Sequence, residues 1–384
     1  MEFELPPELE EIRRTARRFT ERELEPWASV IDERGEVPEE VVELLAANGY
    51  LGMRLDEEFG GGGLGLFPFC LVLEEFSRSH RMFTLIVTGT TGLCPIAIAR
   101  HGTPEQRDRY VRGMVQGKIK GAFALTEPGA GSDAGAISTQ AKKVDGGWML
   151  NGRKHYISGA HVADVVMVMA VTDPAKRTRG GVSAFLVDKG TPGFKITRID
   201  QTIGSDAIKL AEIAFEDCFV PDGSLLGQVG EGFKFAMESL TDGRMGVATS
   251  CIGAAERMQE MSIEHAKQRN TFGKPLASRQ AIQWMLADNA VEIAAARALT
   301  YETIRQVEAG GNVGSGPSMC KLYCSEMVGR VVDRAVQIHG GMGLIRGFPV
   351  ERFYRDVRHY RVGEGASEIQ RMLIARTLTG GRGE

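Results

Sequence analysis

Along the chain, the spacing of apolar residues changes period twice. From residue 5 to about residue 117 they recur at helical spacing: Leu9, Ile12, Ala16 and Phe19 form one stripe, and Val41, Leu44 and Leu45 another. Gly49 follows as a C-terminal cap, and the glycine tract 60–63 breaks the next section. PFCLVLEEFSRS and TGLCPIAIARHG read as further helices, and Pro104 opens one more. From about residue 120 to 226 the period becomes two. GAFALTE, ISTQAKKV, GWMLNGRKHYISG, VVMVMAV, VSAFLVD, FKITRI and AEIAFEDCFV are short β-rich runs, separated by turn residues such as Asn151-Gly152 and Pro192-Gly193. Strands at this spacing predict a small barrel or sandwich. From Gly232 onward the helical period returns in three segments of more than 20 residues each, rich in small side chains such as Ala294, Ala295 and Ala296. Long consecutive helices of this kind predict an antiparallel bundle.

Composition narrows the picture without redirecting it. The 384 residues are 43% hydrophobic and 25% charged, the balance of a globular chain of two or three domains. A net charge of -4 gives no electrostatic reason to expect nucleic acid. No apolar run of about 18 residues is expected to span a membrane. The first residues carry Glu2, Glu4, Glu8, Glu10 and Glu11, which reads as an amphipathic helix and not as a targeting segment. Cys70, Cys94, Cys218, Cys251, Cys320 and Cys324 form no C-x-x-C pair. They read as buried free thiols, with no metal site, in a reducing compartment such as the cytoplasm.

Five stretches carry candidate chemistry. In TEPGAGSD, residues 126–133, a strand runs into a loop whose backbone N–H groups and hydroxyls suit the polar edge of a ligand or simply close a hairpin. Strand-like ISTQAKKV follows, so this is no dinucleotide-binding glycine fingerprint. Tyr156 and Ser158 end another strand, one pleat apart, and present a ring and a hydroxyl on the same face. Arg269-Asn270-Thr271-Phe272-Gly273 suits a phosphate or a basic helix cap. QIHGGMG, from Gln337, reads as a helix cap or as a place where a ligand approaches the backbone closely. In RVGEGASEIQR, Glu364 stands between Gly363 and Gly365, and Ser367 to Gln370 read as a capping box opening the last helix. Glu364 is either a surface acid complementing the helix dipole or a general base, whose pKa a dry pocket would raise toward working pH.

The ordered set TEPGAGSD, FEDCFVP, RNTFG, QIHGGMG and GEGASEIQR, preceded by helices, resembles the acyl-CoA dehydrogenase family over nearly the whole chain. The resemblance implies an α+β multidomain fold: an N-terminal α-helical domain (1–119), a middle β-barrel domain (120–227) and a C-terminal four-helix bundle (228–384). It implies noncovalent FAD, a homotetramer, and dehydrogenation of an acyl-CoA thioester to the trans-2-enoyl-CoA. In that reaction a Glu removes the α-proton, hydride goes to flavin N5 and electrons pass to electron-transfer flavoprotein. Two other outcomes stand beside it: an acyl-CoA oxidase using O2, and a non-catalytic acyl-CoA-binding member.

Carried over by resemblance, Glu364 matches the catalytic base. The alternative base position of two subfamilies falls on Gly243, which cannot take a proton. Phe123, Leu125, Thr126, Gly131 and Ser132 match the loop beside the isoalloxazine, and Tyr156 and Ser158 match a pair more often Trp and Thr. Arg269, Thr271 and Phe272 match a pyrophosphate-binding segment serving a neighbouring subunit. Gln280, Gln337, Gly340 and Gly341 match further FAD contacts, and Ser367 and Glu368 the adenosine end, although Ala366 replaces the usual Thr. On the substrate side the resemblance implies Ser132, Thr241, Arg244 and Gly365. The segment GSDAIKLAEIAFED departs from the family, with Asp206, Ile208 and Leu210 where Arg, Ser and Thr are frequent. DGRMGVATSCIGAAERM and YISGA look most like members acting on short branched acyl groups such as isobutyryl, with a linear short or medium chain as the alternative.

Overall fold

The computed structural model describes residues 4–90, 93–311 and 313–380. The N-terminal part is helical: α1 (Pro7–Phe19), α2 (Glu25–Arg34), α3 (Glu39–Ala47), α4 (Leu66–Phe76), α5 (Arg81–Leu85), α6 (Leu93–His101), α7 (Pro104–Gln106) and α8 (Arg112–Val115). Gly49 ends α3 as predicted. It takes φ 77°, its N–H donates to Ala46 O at 2.9 Å, and that of Tyr50 donates to Leu45 O at 3.0 Å. Thr103 and Gln106 cap α7 reciprocally.

Helix α4 is buried almost all round, because it is sandwiched between α1 and the C-terminal helices. Its two adjacent acids serve opposite sides. Glu75 accepts from Arg17 of α1 at 2.8 Å, while Glu74 accepts from Arg297 at 2.8 Å and from the Tyr301 hydroxyl at 3.0 Å. The stretch Arg81–His101 is long and apolar enough, by length and composition alone, to cross a membrane, which the sequence pattern did not lead one to expect. Its apolar side chains Met82, Phe83, Ile86, Cys94 and Ile98 are core residues of the folded protein.

The middle part is one mostly antiparallel eight-stranded sheet: β1 (Gly121–Ala124), β2 (Gln140–Val144), β3 (Gly147–Ser158), β4 (Val165–Val171), β5 (Val182–Asp188), β6 (Phe194–Asp200), β7 (Leu210–Pro221) and β8 (Leu225–Leu226). The strand order is β6-β7-β3-β2-β4-β5-β8, with β1 parallel to β4. Side chains of β1, β2, β3, β4, β5 and β7 meet in one enclosed interior, among them Trp148, Val166, Val168, Phe185, Ile213 and Phe215. The unbroken apolar run of β4 has a simple cause. Val166, Val168 and Ala170 point into that interior, and Val165, Met167 and Met169 point outward against α6 and α8.

The C-terminal part holds α9 (Gly232–Gln268), α10 (Gln280–Glu308), α11 (Gly316–His339), α12 (Pro349–Val357) and α13 (Ser367–Thr379). A small hairpin, β9 (Asn270–Thr271) and β10 (Lys274–Pro275), joins α9 to α10. Its two-residue turn puts Phe272 at φ 49° and Gly273 at φ 74°. All six cysteines are buried and unbridged.

Candidate active site

The segment between α12 and α13 is built around two glycines that make room for other side chains. A Cβ on Gly363 would lie 2.6 Å from His359 Nε2, and one on Gly365 would lie 2.7 Å from Gln370 Nε2. Between them Glu364 takes a left-handed φ of 56°, and Gly365 follows at 88°. The capping box expected at residues 367–370 does not form. Ala366 is the N-cap, the Ser367 hydroxyl donates to Glu326 Oε1 at 2.7 Å, and Gln370 turns to the loop. Its amide donates to Glu364 O at 3.1 Å and to Gly365 O at 2.9 Å. Gln370 thereby pairs the Glu364 carbonyl and shares that of Gly365 with a lysine. From below, Lys321 Nζ donates to Gly365 O at 2.6 Å.

The Glu364 carboxyl is directed inward. Its Oε2 is buried with no hydrogen-bonding partner among the described residues. It rests against Gly243 of α9, where a Cβ would come within 2.8 Å of Oε2. Burial pushes the Glu364 pKa above the ordinary carboxylate value, against the opposing charges of Arg244 and Lys321. Burial likewise lowers Arg244, whose Nε has no partner among the described residues, and brings Lys321 down to about 8. A carboxylate oxygen withdrawn from water and left without a partner is chemically able to accept a proton. Beside it opens a cleft lined by Arg54, Phe69, Ile96, Phe235, Asp242 and Gly243 among others. Arg54 is fixed there by Asp242 at 2.8 Å, and its guanidinium lies 5.3 Å from the centre of the Phe69 ring. The backbone of Thr241 lies on the same helix, but its side chain is outside the described residues.

The second half of the site lies on the sheet. Phe123 is on β1, and Leu125 and Thr126 follow it. Buried Lys154 donates to Leu125 O at 3.0 Å and to Glu127 Oε1 at 2.7 Å. Glu127 also accepts from Ser138 N at 2.7 Å and Thr139 N at 2.9 Å. Burial alone would raise its pKa, but Lys154 and these donors bring it down to about 2. Glu127 and Ala130 exchange backbone hydrogen bonds, which leaves Gly131 and Ser132 exposed at the loop. His155 N donates to Thr126 O at 2.9 Å, so Tyr156 stands beside this loop. Tyr156 and Ser158 are not one pleat apart as expected: β3 is irregular between Lys154 and Ile157, and Tyr156 has φ 58°. The bulge turns the Tyr156 ring, 57% exposed, onto His155 at 3.8 Å between ring centres.

The unusual segment around Asp206, Ile208 and Leu210 acts as a strap between the two halves. Asp206 accepts from Thr202 N at 3.2 Å, Ile208 is buried in the core shared with the helices, and Leu210 opens β7 opposite Ser158. Ser205 donates from its backbone and hydroxyl to Asp356 Oδ1 of α12, at 2.6 and 3.0 Å. Asp356 stands eight residues before Glu364.

The remaining candidates gather elsewhere. The rings of His265 and His339 are 4.5 Å apart, which brings the Arg269–Phe272 hairpin and the segment of Gln337, Gly340 and Gly341 to one end of the bundle. Arg269, Gln280, Gln337, Gly340 and Gly341 are exposed there, and Phe272 is 95% exposed. Along α11 this end is about 27 Å from Lys321, at 1.5 Å per residue. One chain therefore does not bring this group to the Glu364 loop. Ser367 is buried on Glu326, and Glu368 is exposed. Sequence reasoning missed Lys321, Gln370, Lys154, Glu127 and the Arg54–Asp242 pair. The detectable signal was a lysine inside an otherwise apolar stripe: Lys154 in the long strand β3, and Lys321 among Cys320, Cys324 and Val328.

Three family models match in order: acyl-CoA dehydrogenase N-terminal domain at residues 6–118, middle domain at 122–218 and C-terminal domain at 230–379. Acryloyl-CoA reductase (NADH) of Anaerotignum propionicum is 42% identical over 98% of this chain and 96% of its own. The CarC subunit of the caffeyl-CoA reductase-Etf complex of Acetobacterium woodii is 38% identical over 96% and 97%. The solved structure of PigA with FAD and proline superposes with a TM-score of 0.95 at 29% identity, covering all of both chains. The helical, sheet and bundle parts fall in the order of those three models, and the chain belongs to the acyl-CoA dehydrogenase family.

Proposed function

We propose that the protein binds FAD and catalyses α,β-dehydrogenation of a short acyl-CoA thioester to the trans-2-enoyl-CoA, with Glu364 removing the α-proton. One observation carries the reading: Oε2 of the half-buried Glu364 is itself buried, has no partner among the described residues, and faces a glycine at the edge of a cleft. An α-proton next to a thioester is too weakly acidic for a solvated carboxylate. Desolvation strengthens the base, and the bound substrate completes the exclusion of water. Arg244 and Lys321 keep the carboxylate ionisable in that dry setting. In this reading the backbone N–H groups of the turn at Gly365 donate to the enolate oxygen as charge develops on it.

The residues present fit a planar flavin. The Tyr156 ring is open, the Leu125 and Thr126 backbone is braced by Lys154, and Ser158 offers a hydroxyl. Bound there, FAD supplies the hydride acceptor. Arg269, Thr271, Phe272, Gln280, Gln337, Gly340 and Gly341 would hold the FAD of a neighbouring subunit in a homotetramer. Their exposure at the far end of the bundle supports this, as does the exposed apolar surface of Trp284, Leu344 and Ile345. Ser132, Thr241, Arg244 and Gly365 would line the acyl-CoA path. Electron-transfer flavoprotein as electron acceptor is supported by the relative named for an Etf complex. The relative named for acryloyl-CoA reduction fits the same site run in reverse, with Glu364 delivering the α-proton.

Glu364→Gln tests the assignment. The variant is expected to retain FAD and to lose flavin bleaching by substrate; rapid bleaching would refute the base. Turnover of propionyl-, butyryl-, isobutyryl-, isovaleryl-, octanoyl- and palmitoyl-CoA with a dye acceptor identifies the acyl group, and peroxide release under air without a carrier protein would mark an oxidase instead.

A further inference from the structure

Lys321 is fully buried in α11, among core residues Cys320, Cys324 and Val328. An ammonium in such a place loses its hydration and needs a strong reason to be there. Its hydrogen bond, at 2.6 Å, goes not to a carboxylate but to the carbonyl oxygen of Gly365. The nearby carboxylate on its own helix, Glu326, is engaged by Ser367 and by Arg361. The peptide that Lys321 grips comes directly after Glu364, where two consecutive residues have φ of 56° and 88°. Left-handed backbone at a non-glycine residue is strained and persists only where the surroundings over-determine it. Lys321 and Gln370 do so from two sides, both through the Gly365 carbonyl.

We propose that Lys321 is a positioning residue for proton transfer: its ammonium tethers the carbonyl of Gly365, fixes the backbone on which Glu364 is mounted, and places a positive charge under the base. This rests on the assignment of Glu364 as the base. The charged and titratable groups around the pair are Arg244 and Cys251 on α9, Glu326 on α11, and His359 before the loop, with Arg81 of α5 behind His359. Of these, Arg244 and Lys321 bear directly on the Glu364 carboxylate. Removing Lys321 leaves one cation facing it. The ionised base is then disfavoured, and the rising limb of the pH profile moves to higher pH.

Two variants separate the tether from the charge. Lys321→Met removes both, and Lys321→Gln keeps a donor for the Gly365 carbonyl without the charge. For Lys321→Met we expect kcat to fall by about 10- to 100-fold with KM little changed, the scale of a misplaced catalytic group. The acid limb of kcat/KM should shift to higher pH, and hydrogen exchange in the peptide 361–371 should quicken. Lys321→Gln should recover part of kcat and of the exchange protection but keep the alkaline shift. Folded variants with wild-type kcat, pH profile and exchange would overturn the proposal. Restoration of the wild-type pH limb by Gln would overturn its electrostatic half. Should the Met variant fail to fold, the Gln variant decides. Glu364→Gln, measured in parallel, keeps the two readings apart: if it turns over substrate, the base assignment fails, while the exchange data still report on the tether.

Discussion

Gly365→Ala isolates the cost of mounting an acid on this turn. At φ 88° an L-residue meets its own carbonyl, a penalty of roughly 1–2 kcal/mol. The added Cβ would also lie 2.7 Å from Gln370 Nε2 and force that amide away from the carbonyls of Glu364 and Gly365. Each hydrogen bond lost there is worth about 0.5–1.5 kcal/mol net. Unrelieved, the change costs about 2–5 kcal/mol. The loop can take up the strain by staying in place, which lowers global stability, or by relaxing, which moves the Glu364 carboxyl. The first shows as a reduced denaturation midpoint of the FAD-saturated protein. The second shows as a fall in kcat/KM, about 30-fold for 2 kcal/mol. Gly363→Ala is the comparison. The nearest atoms to its Cβ would be those of the His359 ring, from 2.6 Å, and Gly363 has no left-handed φ, so a shift of the imidazole relieves it. A Gly365→Ala variant matching wild type in both midpoint and kcat/KM would refute the claim that this turn needs glycine.

Gly243→Ala should depress kcat while leaving FAD content unchanged, because its Cβ would press within 2.8 Å of Glu364 Oε2; an unaltered kcat would show that the carboxyl has room to move. Lys154→Met should lower the melting temperature strongly, by about 3–5 kcal/mol of stability, since it strands a buried Glu127; a shift within error of wild type would contradict the pairing. The folded pKa of Glu127, about 2, lies below its ordinary value of 4.5, so its contribution to stability is present above pH 4.5 and is lost as pH falls toward 2. Glu127→Gln should therefore flatten the acid limb of the stability curve. For Glu364 the sign is opposite: burial raises its pKa, so kcat/KM should rise with pH on a limb lying above 4.5, and a limb at or below 4.5 would place the carboxyl in water.

The periods of the chain made the fold legible because each reports a face. Val166, Val168 and Ala170 alternate with Val165, Met167 and Met169, and both sets are apolar because β4 is covered on both sides. The glycines around Glu364 are likewise legible as a signal of unusual backbone. What they make room for is not legible, since His359 and Gln370 reach them through space and Lys321 comes from 44 residues away. Ser367 to Gln370 matches a capping pattern, yet the tertiary partners Glu326 and the two loop carbonyls outcompete the helix end for both side chains. The bulge at Tyr156 was hidden for a related reason: Lys154, one residue earlier in β3 than His155, is drawn inward to Leu125 and Glu127, and the strand must deform to bring Ile157 back into the core. Two segments of the candidate site are thus gripped by a buried lysine at a backbone carbonyl, Leu125 on the sheet and Gly365 on the bundle. A lysine reaches such a carbonyl with a compact ammonium on a flexible stem. The two segments are held separately, and the Ser205–Asp356 strap fixes one relative to the other. That strap works beside apolar packing, since Phe235 and Ala236 of α9 share a core with Val165, Met167 and Leu186 of the sheet.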